Sequence, residues 1–193
     1  MQKFGVLVLL AMLPALLFCG CGENSSQKKR NISRDTYLAY RNDSRNNLKQ
    51  IGLGIIIYAY YHNDNTPAKL TDLEGYVGNL FFVAKFDKKH HQPEDNHISQ
   101  AESSYAYIGN IGQLSALKSP AKTPLAFEKP SLLPENHSDL LVLFADGDTE
   151  IVAITDVSKM SCRQITEILT AQLNDPAMRD KLLKNAMDAD NQK

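Results

Sequence analysis

The stretch Arg45 to Tyr61, R-N-N-L-K-Q-I-G-L-G-I-I-I-Y-A-Y-Y, constrains the fold more than any other part of the chain. Leu48, Ile51, Ile55 and Tyr58 recur at offsets of three and four, which places them on one helical face with Arg45, Asn46, Lys49 and Gln50 turned largely away. Gly52 and Gly54 cost up to ~1 kcal/mol each in helicity relative to Ala, so tertiary packing must supply the difference.

The rest of the fold is read outward from that helix. Asp35 is placed to cap it, and it should run to about His62, with room for a break near Asn42 to Ser44. Asn63-Asp64-Asn65-Thr66-Pro67 ends it, because Pro67 disfavours a helical conformation in its predecessor. Thr71 and Glu74 have capping-box spacing and predict a short helix before Gly75. Gly78 to Phe86 is rich in aromatic and β-branched residues and predicts a strand or a buried extended segment, and Asp87 to Ser103 an exposed loop. Strands are expected at Ser104 to Ile108, Thr123 to Glu128 and Leu140 to Ala145, the last continuously apolar as a buried strand is. Asp146-Gly147 joins it to Thr149 to Ile154 as a hairpin, through a type I′ turn with positive φ at both residues. Thr155 or Asp156 should cap a helix with an apolar stripe of Val157, Met160, Ile165, Ile168, Leu169 and Leu173. Asp175-Pro176 opens a further helix, expected to fray from Asp188 to Lys193. The expected class is α+β, a long N-terminal helix packed on a small antiparallel sheet, with C-terminal helices.

The N-terminus reads as an address. Lys3 precedes an apolar run from Phe4 to Phe18, broken only by Gly5 and Pro14 and shorter than the ~20 residues a spanning helix needs, so it is expected to be a secretory signal. The run ends in L-L-F-C-G-C-G, which resembles the lipobox of bacterial lipoproteins, where a small residue precedes a cysteine that is diacylated and becomes the mature N-terminus. Cys21, behind Gly20, fits that role; Cys19, behind Phe18, fits it poorly, and a plain signal cut near Gly20 without lipid is the alternative. Each buried methylene contributes ~0.8 kcal/mol and more than one chain makes anchoring stable, so the membrane is an expected partner through a lipid anchor rather than a span. By the same resemblance, Gly22 after the cysteine implies the outer membrane, facing the periplasm. The expected organisation is a signal peptide over 1–20, a polar tether over 21–33, a head over 34–155 and a C-terminal helical extension over 156–193.

Charge and chemistry-bearing residues narrow the function. Net charge is -1, and loss of residues 1–20 takes Lys3 away to leave 20 basic against 22 acidic residues, which argues against nucleic-acid binding. Lys28, Lys29 and Arg30 read as solvated linker. With Cys19 removed and Cys21 acylated, only Cys162 remains, so no internal disulfide forms and Cys162 is expected to be a buried structural thiol. His90, His91, His97, Glu94 and Asp95 supply donors for zinc, but their spacing matches no structural zinc pattern and suits a hydrophilic loop. Asp146, Asp148 and Glu150 are hard oxygen ligands for calcium if they share one side of the hairpin, and solvated edge carboxylates otherwise. No metal, cofactor or catalytic residue is assigned. The raw material for acid–base catalysis is Glu128, His137, Asp139 and Asp146, if the Pro-rich turn and the hairpin lie side by side. The plainer expectation pairs Glu128 with Lys129 and has His137 hydrogen-bond the Asp146 turn.

Four motifs occur in one order: R-N-N-L-K-Q-I-G, then S-Y-A-Y-I-G, P-L-A-F-E-K-P, and N-H followed by L-V-L-F-A-D-G. In that order they resemble bacterial pilin-like and type II secretion pseudopilin-like proteins, which pair a long N-terminal helix with a small sheet and end in a His…Asp-Gly hairpin. The resemblance covers roughly residues 44–154, with His137 and Asp146-Gly147 matching the late motif across eight intervening residues. It departs from the prepilin leader, since Gly5 is followed by V-L-V-L-L and Leu10 stands where that leader carries Glu. The resemblance implies a binding or structural role among envelope, secretion or pilus-type partners and no enzymatic activity. The competing expectation is an envelope hydrolase built on Glu128, His137 and Asp146.

Overall fold

The first helix, α1, spans Arg34–Tyr61 without a break at residues 42–44, and Asp35 lies inside it rather than ahead of it. The computed structural model describes residues 34–87, 99, 101–135 and 137–191. Cys21, the signal and the tether, together with His90, His91, Glu94, Asp95 and His97, lie outside the described residues. On α1, Leu48, Ile51 and Ile55 are buried as expected and Tyr58 half-buried, while Asn46, Lys49 and Gln50 face solvent. Asn63 and Asp64 end the helix in the left-handed conformation, and Asp64 N–H reaches back to Ala59 O at 2.7 Å. Asn and Asp tolerate that conformation better than other side-chain-bearing residues.

Four strands form one antiparallel sheet in chain order, β1 (Tyr105–Tyr107), β2 (Pro124–Glu128), β3 (Asp139–Phe144) and β4 (Thr149–Ala153). Leu140 through Leu143 are wholly buried, as a continuously apolar strand inside a sheet must be, and α1 packs across β3. The fold is therefore α+β, a long helix on a small antiparallel sheet. The β3–β4 hairpin differs from expectation in its turn. Gly147 N–H donates to Phe144 O at 3.0 Å, Phe144 N–H donates to Asp148 O at 2.9 Å, and only Gly147 has positive φ, at 88°. That is a three-residue loop closed by a glycine bulge, not a two-residue type I′ turn, so Asp146 keeps an ordinary backbone.

Gly78 to Phe86 is not a strand. It forms a 3-10 turn, Asn79–Phe82, followed by irregular chain with Phe82 and Ala84 buried. Ser104 N–H and the Ser103 hydroxyl both donate to Phe82 O, and Ala84 N–H donates to Ser104 Oγ at 2.8 Å. Serine side chains thus satisfy polar backbone that no ladder reaches. The short helix near Thr71 is a 3-10 turn, Leu70–Leu73, whose entry is held by Lys69 N–H donating to Asp72 at 2.9 Å.

Beyond the sheet, Asp156 takes a left-handed conformation ahead of a 3-10 turn, Val157–Lys159, and caps no α-helix. The cap of α2 (Cys162–Leu169) is Ser161, in a capping box with Gln164. Val157 and Ile165 are buried, but Ile168 is exposed, its expected place in the stripe taken by Thr166 and Thr170. Both threonines donate to the carbonyl four residues back, which removes their hydroxyls from competition for water. Asp175 and Pro176 open α3 (Pro176–Asp190) as expected. It stays helical through Asp190, whose carboxylate accepts Cys162 and Arg163 N–H at 2.7 and 3.1 Å, so the expected fraying does not take in residues 188–190, and residues 192 and 193 lie outside the described residues. The acceptor satisfies orphan donors at the start of α2 and complements its dipole. Residues 32–193 group as one compact unit that takes in α2 and α3, with Leu182 and Ala186 fully buried and Asn185 donating to Ile108 O at 2.8 Å.

Candidate functional site

The first half of α1 turns polar side chains inward. Arg41, Ser44 and Asn47 are buried, one helical spacing ahead of Leu48 and Ile51. Arg41 reaches the ends of two strands, with Nη1 donating to Glu128 Oε2 at 2.5 Å and Nη2 lying 2.9 Å from Asp139 Oδ1. The second contact is an ion pair by distance, although its geometry does not satisfy a hydrogen bond from Nη2. Glu128 closes β2, is wholly buried and also accepts Leu141 N–H at 3.2 Å. Asp139 opens β3, and His137 Nε2 sits 2.8 Å from its Oδ1. Tyr37, one turn before Arg41, completes the group: its hydroxyl donates to Asp139 at 3.2 Å and lies 3.1 Å from His137 Nε2. Its ring meets the imidazole edge-on at 5.4 Å.

Three of the four candidate acid–base residues, Glu128, His137 and Asp139, therefore converge. Asp146 does not join them, because it lies exposed in the hairpin loop at the far end of β3, accepting Asp148 N–H. His137 bonds Asp139 and Tyr37 rather than the Asp146 turn, and the partner of Glu128 is Arg41 rather than Lys129, whose Nζ donates to Ala101 O.

Burial is the main cause that pushes the Tyr37 hydroxyl up to about 12; Arg41 opposes the shift, and the Asp139 and Glu128 carboxylates add to it. A phenol at that value is a hydrogen-bond donor and not a base at neutral pH. Glu128 Oε1 is buried without a hydrogen-bond partner among the described residues.

Cys162 is buried beside Asp190, and its thiol is pushed up to about 12, first by burial and then by that carboxylate. It is a poor nucleophile there. Asp146, Asp148 and Glu150 are all exposed, and no three metal-ligating side chains gather among the described residues.

Arg41 and Tyr37 are the members that sequence reasoning missed. The available signal was their spacing to Ser44 and Leu48, which continues the inward face of α1 toward its start. Comparison of the chain with protein-family models, with curated proteins and with solved structures returns no match.

Proposed function

We propose that the protein is a lipid-anchored component of the bacterial cell envelope with a pilin-like head in a binding or structural role, acylated at Cys21 and associated with secretion or pilus-type machinery. The observation that carries the non-enzymatic part is the fate of the acid–base groups. Glu128, Asp139 and His137 are engaged by Arg41 and Tyr37 of α1, in a contact that fixes the helix to the sheet. The motif order and the lipobox-like L-L-F-C-G-C-G support the pilin-like and anchored parts. No described helix is long and apolar enough to cross a membrane, and a lipid anchor requires none.

Metabolic labelling with a fatty acid tests the anchor. Label is expected in the native chain and absent from Cys21→Ser, which should leave the membrane fraction. Native chain that carries no label would remove the anchor.

One observation favours a second reading, an envelope hydrolase, since His137 and Asp139 stand at 2.8 Å as a base and its orienting carboxylate do. Turnover of ester, amide or glycoside substrates by the purified protein, lost in His137→Gln, would put this reading first.

A further inference from the structure

β4 is one edge of the sheet, and among the described residues no strand pairs its outer side. Ile154 N–H donates to Ser138 O, and Phe144 N–H donates to Asp148 O. Bonded pairs alternate along an antiparallel ladder, so Glu150 and Val152 turn their main-chain groups to β3, while Thr149, Ile151 and Ala153 turn N–H and C=O outward. The strand holds neither proline, lysine nor bulge, the usual guards of an open edge, and Ile151 is 50% exposed. The other edge, β1, is flanked by α3, whose Asn185 donates to Ile108 O.

The same side of the molecule carries an uncovered flank of α1. Leu143 lies against Gly52, so its ladder partner Thr149, and with it Ile151 and Ala153, share the face on which α1 packs. Ile56 Cδ1 stands 3.4 Å from where a Cβ at Gly147 of the β3–β4 loop would be. Away from β4, Gly54 meets Val77 and Asn47 donates to Val83 O, which covers that side of the helix. Toward β4, Leu53 and Ile56 stay 50% and 44% exposed.

We propose that β4 pairs with β4 of a second copy of this chain, antiparallel about a two-fold axis at Ile151, and joins the two sheets into one. Centred there, Ile151 exchanges both main-chain bonds with the partner's Ile151, and Thr149 does so with the partner's Ala153, so every outward group is used. Apolar Ile151 faces itself beside the α1 flanks, and on the opposite face of the sheet Glu150 meets the partner's Val152. A two-residue slip one way sets Glu150 opposite the partner's Asp148, and the other way carries Thr149 past the end of the partner strand. That self-complementarity selects a copy of the chain over an unrelated extended segment. With α1 across β3 in each copy, the two helices lie three strand spacings, ~14 Å, apart, which leaves room for Leu53 and Ile56. The surface belongs to the head and stands whether or not Cys21 is acylated.

The test places single cysteines on β4 of the full chain in a non-ionic detergent, oxidises mildly and reads non-reducing gels against the native chain, whose own cysteines set the background. Ile151→Cys should give a cross-linked species of twice the chain mass, because facing bonded residues have Cα atoms about 5.5 Å apart, within disulfide reach. Ala153→Cys should stay at background, since the two copies of that position lie ~14 Å apart. In sedimentation velocity the native chain should dimerise with a dissociation constant of about 10–100 µM, as suits a seam of one short strand. Ile151→Lys sets like charges face to face and should weaken it by about tenfold or more, with far-UV circular dichroism unchanged because that side chain is half exposed. The proposal is overturned by a native chain that is monomeric at about 300 µM, by an undiminished dimer in Ile151→Lys, or by cross-linking at residue 151 no greater than at residue 153.

Discussion

Arg41 is the residue on which the polar cluster turns. Its guanidinium faces two carboxylates, one of them the wholly buried Glu128. Removing one partner of a buried ion pair leaves an uncompensated charge and costs about 3–5 kcal/mol, whereas replacing both with apolar groups of similar volume is often neutral. Arg41→Met should therefore lower stability by about 3 kcal/mol or more in urea titrations, and Arg41→Met with Glu128→Leu should recover most of the loss. A double variant no better than the single one would mean that Leu141 N–H, which also leans on Glu128, dominates. Little of this was legible in advance. Glu128, His137 and Asp139 were visible as chemistry-bearing residues, but an arginine early in a helix reads as solvent-facing unless its spacing to Ser44 and Leu48 is taken as one face.

The element that decides the architecture, α1, has an inward face in two parts, polar at Arg41, Ser44 and Asn47 and then apolar from Leu48. The apolar part was legible because a hydrophobic period survives in sequence. The polar part was not, since buried polar residues carry no such period and are recognised only by their partners. The hairpin was legible from Asp146-Gly147, but its loop length was not, because the dipeptide also suits the three-residue form. Ser161 and Gln164 held a readable capping signature that Asp156 obscured. The two helix glycines, read first as a weakness in the helix, mark close approach instead. A Cβ at Gly54 would stand 2.0 Å from Val77 Cγ2, and one at Gly52 2.8 Å from Leu143 Cδ1. Gly54→Ala gains up to ~1 kcal/mol of helicity but meets a stiff β-branched side chain, and overpacking costs about 1–3 kcal/mol. A net loss of about 1 kcal/mol is expected from denaturant midpoints, reduced when Val77→Ala opens the space; a stabilised single variant would contradict the packing.

Taken whole, the molecule buries weak acids in neutral form. Burial raises the Tyr105 and Tyr107 hydroxyls and takes the Cys162 thiol to about 12. Each such group stays protonated when folded and ionises when unfolded, once pH passes its unfolded value near ~8.5 for Cys and ~10 for Tyr. Stability is then full below pH ~8.5 and falls above it, at up to about 1.4 kcal/mol per pH unit for each group in its window. Lys129, lowered by burial, works in the opposite direction, one base against several raised acids, Tyr37 among them. Denaturant midpoints at about pH 7, 9 and 10.5 should decline, with the part between 9 and 10 removed by Cys162→Ala. A flat profile in the native chain would contradict it.

The order of contacts along α1 has a mechanical reading. A pull transmitted through residues 1–33 enters at Arg34 and loads the helix from its first turn. It strains Tyr37 and Arg41, with their short-range, directional bonds, before it reaches Leu48, the first wholly hidden apolar side chain of the helix. Such bonds give way over a small displacement, so the leading turns would peel as a brittle tab while the remainder of the protein kept its shape.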